Sequence, residues 1–282
     1  MGELLYLNGE YMPLEQGRVP VEDRGFVFGD GIYEVIRCYG GRTFRMREHL
    51  LRLHASADGI ALALPLTDAE IGTVCDTLLG RTGLRDCTVY LQITRGVAPR
   101  AHVFPAGVRP TFMAFARPVA PPSPAQREDG IPVISVTDDR WGRCHIKSLN
   151  LLANVLAKEK AHAAGGYEGL FVRDGMVTEG TVSNAFRVRG RAVTTHPANH
   201  RILHGVTRAA VIEVAKAEGF PVREEPRTLG DFLDADEVFL SGTTVEVLGV
   251  GTIDGKPVGA GRAGPVTKAL HEAFLRLTCG TV

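Results

Sequence analysis

Four prolines in seven residues, Pro118, Pro121, Pro122 and Pro124, interrupt the chain near its middle. Proline fixes φ at about −65° and has no amide hydrogen to donate, so the run suits neither a helix interior nor a central strand. We read it as a stiff linker over 118–124. It would separate an N-terminal domain over 1–117 from a C-terminal domain over 125–282. A surface loop within one domain is the alternative. The 282 residues allow one large domain or two small ones.

Both halves carry readable elements. Asn8-Gly9 between Leu4–Leu7 and Glu10–Met12 predicts a hairpin, because both turn positions need positive φ. A helix is expected over Arg47–Ala57, with Leu50, Leu53 and Ala57 on one stripe. Thr67-Asp-Ala-Glu70 is a capping box opening a second helix, with Ile71, Val74, Cys75 and Leu78 at helical spacing. Alternation over Val89–Ile93 and the run Thr111–Ala116 predict strands. Beyond the prolines we expect a strand at Ile131–Val136 and a helix from Asn150 to Ala164 with Leu149, Leu152, Ala153, Leu156 and Ala157 periodic. Hairpins are expected at Asp174-Gly175 and Asp254-Gly255, and helices over Thr207–Glu218 and Pro265–Leu277. Strands and helices without strict βαβ alternation point to α+β halves.

Lys+Arg and Asp+Glu both number 32, so no basic excess favours nucleic acid or a membrane surface. No apolar run spans a bilayer and the N-terminus has no signal-peptide layout. Five cysteines without a C-x-x-C pair fit free thiols in a reducing compartment, so a cytoplasmic location is expected.

The chemistry centres on Lys147, in Ile146-Lys147-Ser-Leu-Asn150, and Glu179, in Thr178-Glu179-Gly180. A lysine amine that can condense with an aldehyde, plus a carboxylate that keeps a pyridine nitrogen protonated, is what pyridoxal 5'-phosphate (PLP) requires. A phosphate needs clustered N–H donors and a cation. Gly205-Val206-Thr207 opens a helix, where free amides and the dipole favour an anion; Thr207 as an ordinary cap is the alternative. Ser241-Gly242-Thr243-Thr244 is a second small-residue turn able to serve an anion. Arg52 lies off its helix's apolar stripe. Arg100 and His102, in a Gly/Pro-rich loop, could hold a carboxylate or be a solvated loop tip. Two apparent motifs are set aside. Gly259-Ala-Gly-Arg-Ala-Gly264 matches G-x-G-x-x-G but lacks the following strand and acidic residue. His196, His200 and His204 have ligand spacing but lie in a proline-containing loop without a thiol or carboxylate, so no metal is expected.

Together, Glu22-Asp-Arg-Gly25, Phe28-Gly-Asp-Gly-Ile-Tyr33-Glu-Val, Arg100-Ala-His102, Ile146–Leu152, Thr178-Glu179-Gly180, Thr195–Asn199 and Ile202–Arg208 resemble the fold-type IV PLP enzymes (aminotransferase class IV). Within these, they are most similar to the D-amino-acid aminotransferases. The resemblance runs from the first hairpin to the last helix. It implies a two-domain α+β fold: a small N-terminal α/β domain and a larger, mixed, β-barrel-like C-terminal domain with helices. PLP would lie at the domain interface of a homodimer. It implies that Lys147 is the Schiff-base lysine and proton shuttle, and Glu179 the pyridine-nitrogen partner. Arg52, Val206, Thr207, Gly242 and Thr243 would hold the phosphate, with Leu203 behind the ring. Tyr33, Arg100 and His102 would trap the substrate carboxylate, the Arg-x-His loop reaching in from the neighbouring subunit. Arg37, near the substrate entrance, stands where well-known members carry Lys; Gly242 stands for Ser and His145 for Asp. The implied reaction is ping-pong transamination between D-amino acids and 2-oxo acids, such as D-alanine with 2-oxoglutarate. Alternatives are a branched-chain L-aminotransferase, an aminodeoxychorismate lyase, an (R)-amine transaminase, or a non-catalytic PLP-binding protein.

Overall fold

The computed structural model describes residues 3–279. They form two compact units. One runs to Val119 and also takes in Ile146–Asn150; the other holds Ala120–His145 and the described residues from Leu151 onward. The expected domains differ in this respect, because a linear boundary cannot assign an internal segment to the earlier unit. Their outermost residues, 1–2 and 280–282, lie outside the described residues.

The first unit is built on β1 (Leu4–Leu7), β2 (Glu10–Pro13), β3 (Gly31–Tyr39), β4 (Arg42–Thr43), β5 (Cys87–Thr94) and β6 (Thr111–Pro118), with α1 (Arg24–Phe28), α2 (Met46–Gly59) and α3 (Asp68–Thr82). The strands make one antiparallel sheet in the order β2-β1-β6-β5-β3-β4. Asn8 and Gly9 take φ of 51° and 108°, the turn geometry that Asn-Gly favours. Alternation turns Ile32, Ile36, Val89 and Leu91 to one face, where they bury against Leu53, Ile71 and Leu78 of the helices. The Thr67 capping box starts α3 as the sequence predicts.

Ile146–Asn150 is stitched to β3. Lys147 O accepts from Tyr33 N at 3.0 Å and Gly31 O from Leu149 N at 3.0 Å, and Ile32 bridges Ser148. Ile146 joins the core of this unit.

The second unit contains β7 (Ile131–Thr137), β8 (Glu168–Arg173), β9 (Met176–Gly180), β10 (Asn184–Arg189), β11 (Ala192–Thr195), β12 (Val222–Glu224), β13 (Arg227–Thr228), β14 (Glu237–Gly242), β15 (Glu246–Ile253) and β16 (Lys256–Pro257). Its helices are α4 (Pro124–Asp129), α5 (Leu152–Ala163), α6 (Val206–Ala217), α7 (Leu229–Leu233) and α8 (Pro265–Thr278). The sheet order is β12-β11-β10-β14-β15-β7-β8-β9-β13, with β16 beside β15. It is mixed: β11/β12, β15/β7 and β7/β8 pair in parallel. It curls into a half-barrel, and Phe186 and Phe239 stack at 4.7 Å in its interior.

Two local expectations change. Pro124 belongs to a helix after all, at the first position of α4 behind the cap Ser123, where its missing N–H costs nothing. Helix α5 begins at Leu152 rather than Asn150, because the preceding residues are held against β3. Its expected buried stripe is open: Leu152 and Leu156 are 70% and 62% exposed. Among the described residues, no helix is long and apolar enough to cross a membrane.

Candidate active site

In the first unit, the Lys147 main chain is fixed on both sides. Its carbonyl takes the Tyr33 amide, and its own amide donates to Ser56 Oγ at 3.1 Å. The ammonium lies 4.2 Å from the centre of the Tyr33 ring, an attractive cation–π distance. Tyr33 stacks on Tyr90 at 5.7 Å, and the Tyr90 hydroxyl donates to Gln92 Oε1 at 2.7 Å.

Beside this pair, on α2, Arg52 makes a two-pronged contact to Glu34. Nε donates to Oε1 at 2.8 Å and Nη2 to Oε2 at 2.7 Å. His49 Nδ1 lies 2.7 Å from the same Oε2. Burial alone would raise the Glu34 pKa. The charge and bonds of Arg52, with the His49 bond, overcome it and hold the carboxyl far below the usual range. Burial lowers the His49 pKa, so the neutral ring donates its Nδ1 hydrogen to Glu34. Arg52 is therefore a cation whose direction is set by a residue the sequence did not single out.

The Arg100–His102 loop is exposed, and both side chains rest on one ring. The Arg100 guanidinium carbon is 5.2 Å, and the His102 ring 5.5 Å, from the centre of Phe28. Arg24 packs on Phe28 as well, donating to Ala101 O at 2.5 Å and to Asp30 at 2.8 Å. Asp30 also receives Arg95. The loop is thus held at the backbone residue between Arg100 and His102. Arg37 lies four residues beyond Tyr33 on the same strand face, roughly 13 Å along β3. Its guanidinium packs over Tyr39 and donates to Cys87 O at 3.2 Å.

In the second unit, Glu179 is buried and surrounded by donors. Arg140 Nη1 reaches Oε1 at 2.5 Å, Asn184 Nδ2 reaches Oε2 at 2.9 Å, and the Leu203 amide lies 3.0 and 3.2 Å from the two oxygens. Burial pushes its pKa up to about 7 against the opposing pull of Arg140. Asn184 also donates to Leu203 O at 2.9 Å, which locks Leu203 beside the carboxylate.

Helix α6 starts at Val206 with Gly205 as its cap and no side-chain capping bond. Thr207 is inside the helix and is not the cap. Its first-turn amides have no intrahelical acceptor and sit at the positive end of the dipole. Only glycine fits at 205, since a Cβ would lie 2.1 Å from Asn184 Oδ1. Gly242 ends β14 and Thr243 opens the tight turn into β15, next to the buried Ser241 hydroxyl, which has no protein partner. His145 lies 6.1 Å from His204, ring to ring.

Sequence reasoning passed over Glu34, Arg24 and Arg140. For Glu34 a signal existed: it shares strand parity with the buried Ile32 and Ile36, a position where a charge needs a partner.

The family profile described as Amino-transferase class IV matches residues 31–253. D-alanine aminotransferase of Bacillus licheniformis is 43% identical over 279 residues, 98% of each chain. That of Staphylococcus haemolyticus is 45% identical over 271 residues, 96% of each. Among solved structures, the branched-chain amino acid aminotransferase of Escherichia coli superposes with a TM-score of 0.92 at 30% identity, covering 99% of this chain and 96% of that one. The T.th. branched-chain amino acid aminotransferase with pyridoxamine 5'-phosphate gives 0.93 at 28% identity, covering 100% and 96%.

Proposed function

This chain belongs to the class IV aminotransferases, PLP-dependent enzymes, and on that premise we propose that it transfers amino groups between D-amino acids and 2-oxo acids. D-alanine and 2-oxoglutarate would give pyruvate and D-glutamate. The observation that carries this reading is end-to-end identity of 43–45% with D-alanine aminotransferases, against 28–30% for the branched-chain structures. The Arg100–His102 pair, prepared for a carboxylate, supports it.

The residues fit PLP. Arg52 is an aimed cation, the start of α6 offers uncapped amides, Ser241 keeps an unpartnered buried hydroxyl, and Glu179 is a buried carboxylate. Bound PLP supplies an aldehyde for amine exchange and an electron sink. Arg52, the amides of Val206 and Thr207, and the Gly242–Thr243 turn would bind its phosphate. Glu179 would accept the hydrogen on the pyridine nitrogen, and Leu203 would pack behind the ring. Lys147 Nζ would take the proton from the substrate Cα as a general base and give it up again as a general acid. Its fixed backbone and the Tyr33 ring restrict where that amine can swing. Arg100, His102 and Tyr33 would orient the substrate carboxylate by charge-assisted bonds.

We further propose that the enzyme is a homodimer acting in the cytoplasm. Exposed apolar side chains on α5, Leu152, Val155 and Leu156, suit a covered surface. Five free cysteines suit a reducing compartment. In the dimer, Arg100 and His102 would serve the neighbouring subunit's substrate.

A second reading, branched-chain L-amino acid transamination, draws on the fold likeness alone. Glutamate formation from D-alanine plus 2-oxoglutarate, run beside L-alanine and L-leucine with the same acceptor, separates the two. Turnover confined to the D-substrate is the expected result, and turnover confined to the L-substrates refutes the D-specific assignment.

A further inference from the structure

Glu179 can meet a pyridine nitrogen either as a carboxylate facing N–H⁺ or as a carboxylic acid facing a bare nitrogen. Only the first leaves the ring electron-poor. We propose that Arg140 is the positioning residue that keeps Glu179 ionised and so places the shared proton on the pyridine nitrogen. This rests on the reading of Glu179 as the nitrogen's partner.

The geometry supports it from three sides. Every polar group in contact with Glu179 is a donor: Arg140, Asn184 and the Leu203 amide. A donor shell stabilises the carboxylate and leaves no acceptor for an acid proton. Arg140, the charged member of that shell, is itself immobilised. Nε donates to Asp138 Oδ1 at 2.8 Å and Nη2 to Oδ2 at 2.9 Å, while the guanidinium lies 4.1 Å over Phe171. Asp138 is held in turn by Arg173 and Thr178, both at 2.9 Å. Finally, the charges balance only one way. Arg140 and Arg173 supply two positive charges, Asp138 one negative, and an ionised Glu179 the second. Two other titratable groups face this cluster and burial keeps both neutral: it raises the Cys144 thiol pKa and lowers that of His196, which also feels Asp138. Burial drives Glu179 toward protonation even with Arg140 present. Without Arg140, only neutral donors would oppose it.

Arg140 could instead be a plain clamp on the 138–145 segment, so the test reads protonation rather than turnover. In apo protein labelled with ¹³C at glutamate carboxyls, the Glu179 resonance, assigned by its loss in Glu179→Gln, is titrated in wild type and Arg140→Gln. We expect its midpoint to rise by at least about one pH unit, with Arg140→Lys falling between the two. In protein loaded with ¹⁵N-pyridine PLP, the nitrogen signal should move from the protonated toward the unprotonated position in Arg140→Gln. An unchanged Glu179 midpoint overturns the proposal. A shifted midpoint with an unmoved nitrogen signal overturns the proton placement. If PLP does not bind, the functional reading fails on its own, and the apo titration still decides whether Arg140 controls Glu179. Should Arg140→Gln not fold, wild-type guanidinium resonances carry the test: Arg140 Nη signals must titrate with the Glu179 midpoint, and independent midpoints refute the coupling.

Discussion

Removing the charge of Glu34 should loosen the first unit and its cation together. In Glu34→Gln, Oε2 becomes an amide that faces the Arg52 Nη2 and His49 donors now bound there, both at 2.7 Å. Turned the other way, the amide nitrogen faces the Arg52 Nε donor now bound at 2.8 Å, so at least one donor loses its acceptor in either orientation. In both orientations the buried pair loses its negative member, a change that costs about 3–5 kcal/mol. At roughly 2–4 °C per kcal/mol, thermal unfolding of the apo protein should begin at least about 6 °C lower. PLP titration should show weaker binding, because Arg52 no longer points in one direction. The double variant Glu34→Leu/Arg52→Met removes both charges and should recover most of the stability while PLP binding stays weak. A Glu34→Gln protein within about 1 kcal/mol of wild type would refute the claim that Glu34 anchors Arg52. So would a double variant no more stable than the single one.

Two further outcomes follow from the second unit. The folded Glu179 carboxyl, raised to about 7, holds its proton more tightly than an unfolded glutamate. Its stabilising contribution is complete below about pH 4.3 and is lost as pH rises through about 7. The apo protein should lose up to about 3 kcal/mol across that window in urea titrations, and Glu179→Gln should flatten the slope; an equal slope in both proteins refutes it. Gly242→Ser should tighten PLP binding about 2- to 10-fold, the worth of one hydrogen bond. The new Cβ meets Val245 and Ser183 at 3.4 and 3.7 Å, ordinary contact distances, and unchanged or weaker affinity would show that the turn does not face the phosphate.

What the sequence disclosed was local. Asn8-Gly9, Asp174-Gly175 and the Thr67–Glu70 box each specify a backbone geometry within four residues, and each forms as expected. Lys147 and Glu179 stand out through their flanking residues. The failures share a cause in distance along the chain. Arg140 meets Glu179 across 39 positions, and nothing in Asp138-Asp-Arg140 announces it. Periodicity marked Leu152 and Leu156 as an apolar stripe, but it cannot say what covers one. The start of α5 was missed because the residues before it obey hydrogen bonds to β3, more than a hundred positions earlier.

That same attachment has a consequence for how the polypeptide is made. When Val119 leaves the ribosome, the outer edge of β3 near Tyr33 still has an open amide, and the residues that close it have not been synthesised. At about 5–20 residues per second, roughly 1.5–6 seconds of translation separate the first sheet from the end of Ile146–Asn150. During that interval the nascent unit carries an unpaired strand edge, the kind of surface that invites pairing with the wrong chain. The segment that closes the edge is also the one that carries Lys147, so completing the sheet and installing the lysine are one event. A chain interrupted before that point has neither.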